Sequence, residues 1–176
     1  MTTLIPAWID GTLTPVDKLD AHRRGLRHKA VSVFVMRGDA VLIQQRAMGK
    51  YHTPGLWANT CCTHPHWDED PAVCATRRLR EELGITGLPL THRDRIEYRA
   101  SVGNGLIEHE VVEVFVAQAA DDLTISPDLT EVMATRWVDV AQLMREARET
   151  PDTFTPWLRI YLAEHADAIF GPVTAG

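Results

Sequence analysis

The sequence predicts an α+β fold, an α/β/α sandwich in which a mixed β-sheet lies between helices. Two observations favour this class. Runs rich in β-branched residues come in pairs around short glycine-containing turns, and three helical segments are interleaved with them. The chain has 176 residues, which is enough for one well-packed core and short for two. We therefore expect a single domain over residues 1–176, with its functional site at the edge of that core.

The expected strands form two hairpins and one later strand. They cover residues 30–36, 40–45, 95–101, 106–116 and 132–138. Arg37-Gly38-Asp39 and Gly103-Asn104-Gly105 separate the members of each pair, and such glycine-containing triplets are typical of hairpin turns. Residues 46–53 between the first hairpin and Pro54 are predicted to form a polar loop.

Three helices are expected from their end signals. Asp70 and Pro71 form an N-cap followed by proline in the first helical position, and Gly84 suits a left-handed C-cap, so this helix spans residues 71–83. Asp139 should cap a second helix to about residue 148, and Thr155-Pro156 should begin a final helix to about residue 170. Four apolar residues of the first helix recur at helical spacing and should face the core: Ala72, Ala75, Leu79 and Leu83.

Composition argues against several classes of partner. The net charge is −6 and the pI is near 5.7, whereas duplex nucleic acids and anionic membranes reward a clustered basic surface. No apolar stretch approaches the roughly 18 residues that would span a bilayer, and residues 1–20 lack the pattern of a signal peptide. We expect a small-molecule substrate rather than a nucleic acid or a membrane.

The cysteines indicate a reducing compartment. Three cysteines cannot all pair, and Cys61 and Cys62 are adjacent, so a disulfide scaffold is not expected. Cys74 is interpreted as a small core residue. We expect a cytoplasmic protein.

A thiol and an imidazole lie two residues apart in the segment after Trp57. Cysteine and histidine together either bind metal or move protons, so Cys62 and His64 predict a metal-dependent catalytic site.

The strand over residues 107–115 carries two glutamates on one face. Glu108 and Glu110 alternate with His109 and continue towards Val112, so both carboxylates project from a face that becomes apolar. Two such carboxylates would repel each other and lose hydration unless a cation lies between them. The alternative is an edge strand whose glutamates contact water.

Three histidines could complete a metal site with these glutamates. His22, His28 and His64 would give three imidazoles, a set that suits Mn²⁺, Zn²⁺ or Fe²⁺. The other histidines are interpreted as solvated loop residues: His52, His66, His92, His109 and His165.

Residues 63–85 resemble the Nudix box, a loop–helix–loop whose carboxylates hold Mg²⁺ against a substrate diphosphate. Thr63 is followed by five residues and Glu69, then by seven residues and Arg77, and then by Arg78-Leu79-Arg80-Glu81-Glu82-Leu83-Gly84-Ile85. Thr63 replaces the usual opening glycine, and Arg78 replaces a glutamate of the acidic set that binds metals and activates water. The resemblance implies a Nudix-like mixed sheet, with a core over about residues 28–160, and argues against diphosphate hydrolysis.

A wider set of residues resembles the type 1 isopentenyl-diphosphate isomerases, the metal-dependent, non-flavin class with a Nudix-like fold. The resemblance covers about residues 18–157 and is carried by Lys18, His22, His28, Arg46, Lys50, Trp57, Cys62-Thr63-His64-Pro65, Glu82, Tyr98-Arg99-Ala100, Glu108-His109-Glu110 and Phe154-Thr155-Pro156-Trp157.

This resemblance implies two metal sites and no flavin. A first divalent ion, Mn²⁺ or another, would be bound by His22, His28, His64, Glu108 and Glu110. Glu82 would hold Mg²⁺ that bridges to the substrate diphosphate. Four cationic side chains would bind phosphate oxygens: Lys18, Arg46, Lys50 and Arg78. The alternative for Arg78 is a simple ion pair with Glu82 along the helix.

The implied reaction interconverts isopentenyl diphosphate and dimethylallyl diphosphate. Protonation of the alkene gives a tertiary cation, so the site needs an acid, a base and no water. Cys62 and Glu110 are the expected pair, with Cys61 as the minor alternative to Cys62. Tyr98 would hydrogen-bond Glu110. Trp157 would stabilise the cation through its π face or would serve only as core packing.

Two other functions remain open from the sequence. A Nudix hydrolase that cleaves a nucleotide or prenyl diphosphate would use the same box and the same cations. A non-catalytic metal-binding or redox-sensing module would use Cys61, Cys62 and His64 but leaves the four cations unexplained. We expect a monomer, with a homodimer as the alternative.

Overall fold

A computed structural model of the protein describes residues 2–173. The predicted domain over residues 1–176 therefore has its first residue and its last three residues outside the described part.

A mixed nine-stranded sheet carries the fold. Its strands are β1 Leu4–Ile9, β2 Thr12–Asp17, β3 Arg27–Arg37, β4 Ala40–Arg46, β5 Trp57–Ala58, β6 Cys61–Thr63, β7 Thr91–Gly103, β8 Leu106–Gln118 and β9 Val132–Asp139. The helices are α1 Lys18–Arg24, α2 Pro71–Leu83, α3 Val140–Glu149, α4 Pro156–Glu164 and α5 Ala166–Phe170, with a 3₁₀ turn at Pro151–Thr153.

Strand β3 lies at the centre of the sheet and is buried on both faces. Phe34 packs in a cluster with residues of α3, α4 and α5, whereas Val33 and Val35 pack in a cluster with residues of α2. Because successive side chains of a strand point to opposite faces, helices cover both sides of the sheet. The α/β/α sandwich is confirmed.

The two predicted hairpins are both present, and they differ in extent. β7 and β8 pair antiparallel along almost their whole length around Asn104 and Gly105. β3 and β4 pair only next to the Gly38 turn, at Met36 with Val41 and Arg37 with Ala40. Beyond the turn, β8 pairs in parallel with β3, and β9 pairs with β4. Glu108 and Glu110 therefore lie on an internal strand, and the edge-strand alternative is wrong.

The ends of α2 are confirmed. The Asp70 side chain accepts hydrogen bonds from the backbone N–H groups of Ala72 and Val73, and Gly84 adopts a left-handed conformation with φ of 63°. The core-facing prediction for Ala72 is wrong: it is exposed in the first turn, and the buried residues that follow are Cys74 and Ala75.

The other helix predictions need correction in detail. Thr155 accepts a hydrogen bond from the backbone N–H of Leu158, as a capping residue should, but the final helix is two helices that divide at His165. Asp139 precedes α3 and makes no side-chain capping hydrogen bond among the described residues. The β1–β2 hairpin and α1 were not predicted.

No helix within residues 2–173 is both long enough and apolar enough to cross a membrane.

Candidate active site

The candidate site lies where the parallel strands β3 and β8 run side by side. His28 on β3 is the register partner of Glu110 on β8. Helix α1 begins after an N-cap at Asp17 and brings Lys18 and His22 to the same end of the sheet. The adjacent β6 supplies Cys62 and pairs with β3 at Ser32. Sheet pairing thus joins side chains that are far apart in the sequence.

One small pocket is lined by most of the predicted residues. It is lined by Lys18, Arg46, Lys50, Tyr51, His52, Cys62, Thr63, His64, Arg78, Glu82, Tyr98, Glu108, Glu110 and Trp157. Its cavity volume is about 30 Å³, room for about two water molecules at roughly 10–15 Å³ each by this measure. An outer cavity of about 220 Å³ shares Lys18, Lys50 and Arg78 with it.

His22 and His28 are fully buried next to this pocket, and their hydrogen bonds fix their tautomers. Nδ1–H of His22 donates to the Lys18 carbonyl at 2.6 Å, and Nδ1–H of His28 donates to the Leu26 carbonyl at 2.7 Å. Each Nε2 therefore carries a free lone pair. Both Nε2 atoms are buried without a hydrogen-bond partner among residues 2–173.

His64 and Glu110 complete a cluster with these two imidazoles. Glu110 Oε1 lies 2.9 Å from His64 Nε2 and 3.4 Å from His28 Nε2. One candidate ligand atom from each of His22, His28, His64 and Glu110 lies within 4.8 Å of the other three. Unpartnered imidazole lone pairs that converge on a carboxylate fit a divalent cation.

Burial keeps His22 and His64 neutral. It lowers the pKa of His22 to about 4 and that of His64 to about 3, the latter in spite of the nearby Glu110. A neutral imidazole is the form that binds a metal ion.

Tyr98 connects the two glutamates. Its hydroxyl lies 2.7 Å from Glu108 Oε2 and 2.8 Å from Glu110 Oε2. Burial and the neighbouring Glu110 raise the pKa of Glu108. Burial would also raise the pKa of Glu110, but the contact with His64 outweighs it and lowers that pKa. Glu110 is thus an ionised, hydrogen-bonded carboxylate that is only 5% exposed.

Three side chains hold the sulfur of Cys62. The thiol donates to Asn59 Oδ1 at 2.7 Å, the indole N–H of Trp157 donates to Sγ at 2.9 Å, and Ser32 Oγ lies 3.8 Å away. Burial raises the pKa of Cys62, so the thiol keeps its proton at neutral pH. Sγ of Cys61 instead lies 3.5 Å from Glu82 Oε2 and packs with the core cluster under α2.

The cationic side chains surround the mouth of the pocket. Burial, and then the charges of Lys50 and Arg78, lower the pKa of Lys18 to about 8. Lys50 forms an ion pair with Glu131, and Arg78 Nη2 lies 2.6 Å from Glu82 Oε1. The helical pair between Arg78 and Glu82 is therefore present, and it occupies two groups that were expected to bind the diphosphate and its Mg²⁺.

Comparison with known proteins agrees with this geometry. The NUDIX domain family matches residues 26–158. The chain is similar to isopentenyl-diphosphate Delta-isomerase of Cereibacter sphaeroides, with 69% identity over 97% of both chains, and to that of Dinoroseobacter shibae, with 68% identity over 98% of both.

The chain belongs to the isopentenyl-diphosphate Delta-isomerase family.

The fold of this isomerase family member also resembles solved structures. The crystal structure of a protein from Deinococcus radiodurans aligns with it over 90% of this chain and 96% of the other chain, with a TM-score of 0.72 and 12% sequence identity. At that identity the likeness shows the fold alone.

Within this family member, two aromatic pocket residues were missed or misread. His52, interpreted as a solvated loop residue, is only 2% exposed, and its Nε2 lies 3.1 Å from Glu108 Oε1. Tyr51 lies with its ring 4.9 Å from the Lys18 ammonium. Their place in the sequence could have indicated this. Tyr51 and His52 directly follow Lys50, which with Arg46 was assigned to the site, and they precede Trp57.

Groups beneath the thiol were also missed. Ser32 Oγ and Tyr161 OH lie 2.9 Å apart, and both are buried below Cys62. Asn59 is fully buried and directs its amide to Val33 O and Cys61 O. Asn59 lies only three residues before Cys62, but no local pattern marks Ser32 or Tyr161, because only the packing of β3 against α4 brings their hydroxyls together.

Proposed function

We propose that this pocket interconverts isopentenyl diphosphate and dimethylallyl diphosphate, with Cys62 and Glu110 as the acid–base pair. The observation that carries the proposal is that the Cys62 thiol and the Glu110 carboxylate line one pocket. An intermediate carbocation survives only where water is excluded, and substrate that fills this small, buried pocket would displace the water from it.

We propose that His22, His28, His64, Glu108 and Glu110 hold one divalent ion, such as Mn²⁺. The bound ion supplies positive charge that keeps the two neighbouring carboxylates ionised and fixed in place. The free Nε2 atoms of His22 and His28 support this ligand set. Tyr98 then fixes the orientation of Glu110 through the 2.8 Å contact with its second oxygen.

The diphosphate is proposed to lie in the outer cavity against Lys18, Lys50 and Arg78, and to reach Arg46 in the adjoining pocket. Its negative charge would replace the carboxylate partners of Lys50 and Arg78, which are Glu131 and Glu82. Released from Arg78, Glu82 would become free to hold Mg²⁺ against the diphosphate. Cations that exchange a protein carboxylate for a phosphate oxygen keep a charge partner throughout, so none is left buried and unpaired.

The protonation states favour Cys62 as the acid and Glu110 as the base in the forward direction. The thiol gives its proton to the terminal alkene carbon, and the π electron pair forms the new C–H bond. Glu110 removes a proton from the carbon on the other side of the cation, and the electron pair of that C–H bond becomes the new double bond. Trp157 lies next to the Cys62 sulfur, where its ring can stabilise the positive carbon.

Proton NMR of the reaction in deuterated water tests the proposal. Isopentenyl diphosphate with Mg²⁺ should give dimethylallyl diphosphate that carries deuterium. Cys62→Ala and Glu110→Gln should each lower kcat by about 10²–10⁴-fold, with normal circular dichroism spectra, whereas Cys61→Ala should stay close to the wild type. Release of phosphate without migration of the double bond would identify a hydrolase instead.

We propose that the enzyme acts as a monomer in the cytoplasm. All the pocket residues come from one chain, so the site needs no second copy. The thiols of Cys61, Cys62 and Cys74 are unpaired, which suits a reducing compartment. Light scattering after size exclusion should give the mass of a single chain, and twice that mass would contradict the monomer.

A further inference from the structure

His52 has no role in the ligand set described above, yet it occupies the same buried space. It follows β4 in the segment over residues 46–53, and its ring lies between those of Tyr51 and Trp157, with centroid distances of 4.3 Å and 5.7 Å. Its ring centroid also lies 5.8 Å from that of His22. A buried imidazole beside a buried carboxylate needs a defined partner, because each loses its hydration.

The distance between His52 and Glu108 matches the other imidazole–carboxylate distances in the cluster. His52 Nε2 lies 3.1 Å from Glu108 Oε1, and the corresponding distances to Glu110 Oε1 are 2.9 Å for His64 and 3.4 Å for His28. Two adjacent ligands of an octahedral ion with bonds of about 2.1 Å lie about 3.0 Å apart. All three pairs have the spacing of neighbouring ligands around one ion.

His22 connects the two halves of the cluster. Ligand atoms of His22, His52 and Glu108 lie within 4.8 Å of one another, and the same limit holds for His22 with His28, His64 and Glu110. The two groups have only His22 in common, and its Nε2 is buried without a partner within residues 2–173. Because that one lone pair can serve only one ion, an ion bound there would draw the two groups together around it.

The remaining nitrogen of His52 has a partner that suits a ligand. Nδ1 lies 2.9 Å from Thr53 Oγ1. His22 and His28 each donate Nδ1–H to an oxygen and keep Nε2 free, and the same arrangement at His52 turns its Nε2 lone pair towards Glu108. Metal-binding histidines commonly donate their second ring nitrogen in this way.

We propose that His52 Nε2 is a further ligand of the divalent ion held by the three histidines and two glutamates. The inference rests on that proposed metal site. With His52 the protein supplies four imidazoles and two carboxylates, which fill an octahedral shell and leave no position for water or substrate. The ion would then fix Glu108 and Glu110 in place without contacting the substrate.

Mn²⁺ binding to the purified enzyme tests this assignment without any substrate. The wild type should bind one equivalent tightly, and the bound Mn²⁺ should barely enhance the relaxation of water protons, because no water reaches its first shell. His52→Ala should open one position, so that affinity falls by about 10- to 100-fold and the relaxation enhancement rises. His92→Ala is the matched control, since His92 is half-exposed and lies on β7 beside Glu113.

The outcomes separate this inference from the proposed function. A large relaxation enhancement in the wild type would overturn the filled shell even if His52→Ala failed to fold. Equal affinity and equal relaxation in the wild type and His52→Ala would also overturn the assignment. If either result is found while the wild type still isomerises its substrate and binds one equivalent of Mn²⁺, the proposed function is unaffected and only the role of His52 is wrong. A wild type that binds no Mn²⁺ would remove the metal site itself.

Discussion

Removing one hydroxyl from Tyr98 tests how Glu108 and Glu110 are held. The hydroxyl lies within 2.8 Å of both Glu108 and Glu110, and all three side chains are at most 7% exposed. A hydrogen bond to a charged group contributes about 1.5–3 kcal/mol. Tyr98→Phe should therefore lower the free energy of unfolding of the metal-free protein by about that amount. For a chain of this length, that corresponds to a fall in Tm of roughly 3–12 °C.

Tyr161→Phe is the matched control for this change. Tyr161 is fully buried with its ring 5.8 Å from that of Tyr98, but its hydroxyl contacts the neutral Ser32. Its loss should cost about 1 kcal/mol. Urea unfolding with a metal chelator present, followed by circular dichroism, compares the two variants. Tyr98→Phe should also lower kcat by about 10- to 100-fold, because the hydroxyl orients Glu110. If Tyr98→Phe is no more destabilising than Tyr161→Phe, the hydroxyl does not hold charged carboxylates, and the reasoning behind both expected losses fails.

Two further predictions concern the substrate contacts. Because burial lowers the pKa of Lys18 to about 8, Lys18 is charged below that pH and neutral above it. The value of kcat/KM should fall as pH rises through about 8, and Lys18→Arg should remove this alkaline limb; an unchanged profile would show that Lys18 does not bind the diphosphate. Trp157→Phe keeps a π face and Trp157→Leu does not, so kcat should be about 2- to 30-fold lower in the leucine variant, from a cation–π contribution of about 0.5–2 kcal/mol. Equal values would leave Trp157 a packing role alone.

Local patterns predicted the elements whose signals lie within a few residues. Asp70, Pro71 and Gly84 place the ends of α2 because capping depends on neighbouring backbone groups. Alternation on β8 places Glu108 and Glu110 on one face for the same reason, and the structure buries both. Ala72 shows the limit: its spacing is helical, but only contact with the sheet decides which turn of a helix is covered.

The resemblance to the isomerase family predicted site residues that no local pattern indicates. It joined residues from Lys18 to Trp157 that no periodicity connects, and the structure brings them to one pocket. It assigned no role to His52, which is not among the residues that carry the resemblance. The loop that carries His52 was interpreted as polar and solvated because its sequence contains no apolar repeat.

The sequence by itself determined the main elements of the fold and the chemical types present: a thiol, imidazoles, paired carboxylates and four cations in an acidic chain. Only the tertiary structure decided how they meet. Parallel pairing of β3 with β8 sets His28 beside Glu110, and α1 turns His22 towards the same point. Such pairing is chosen by the packing of the whole core on both faces of β3, and that energy is not contained in any short stretch of sequence.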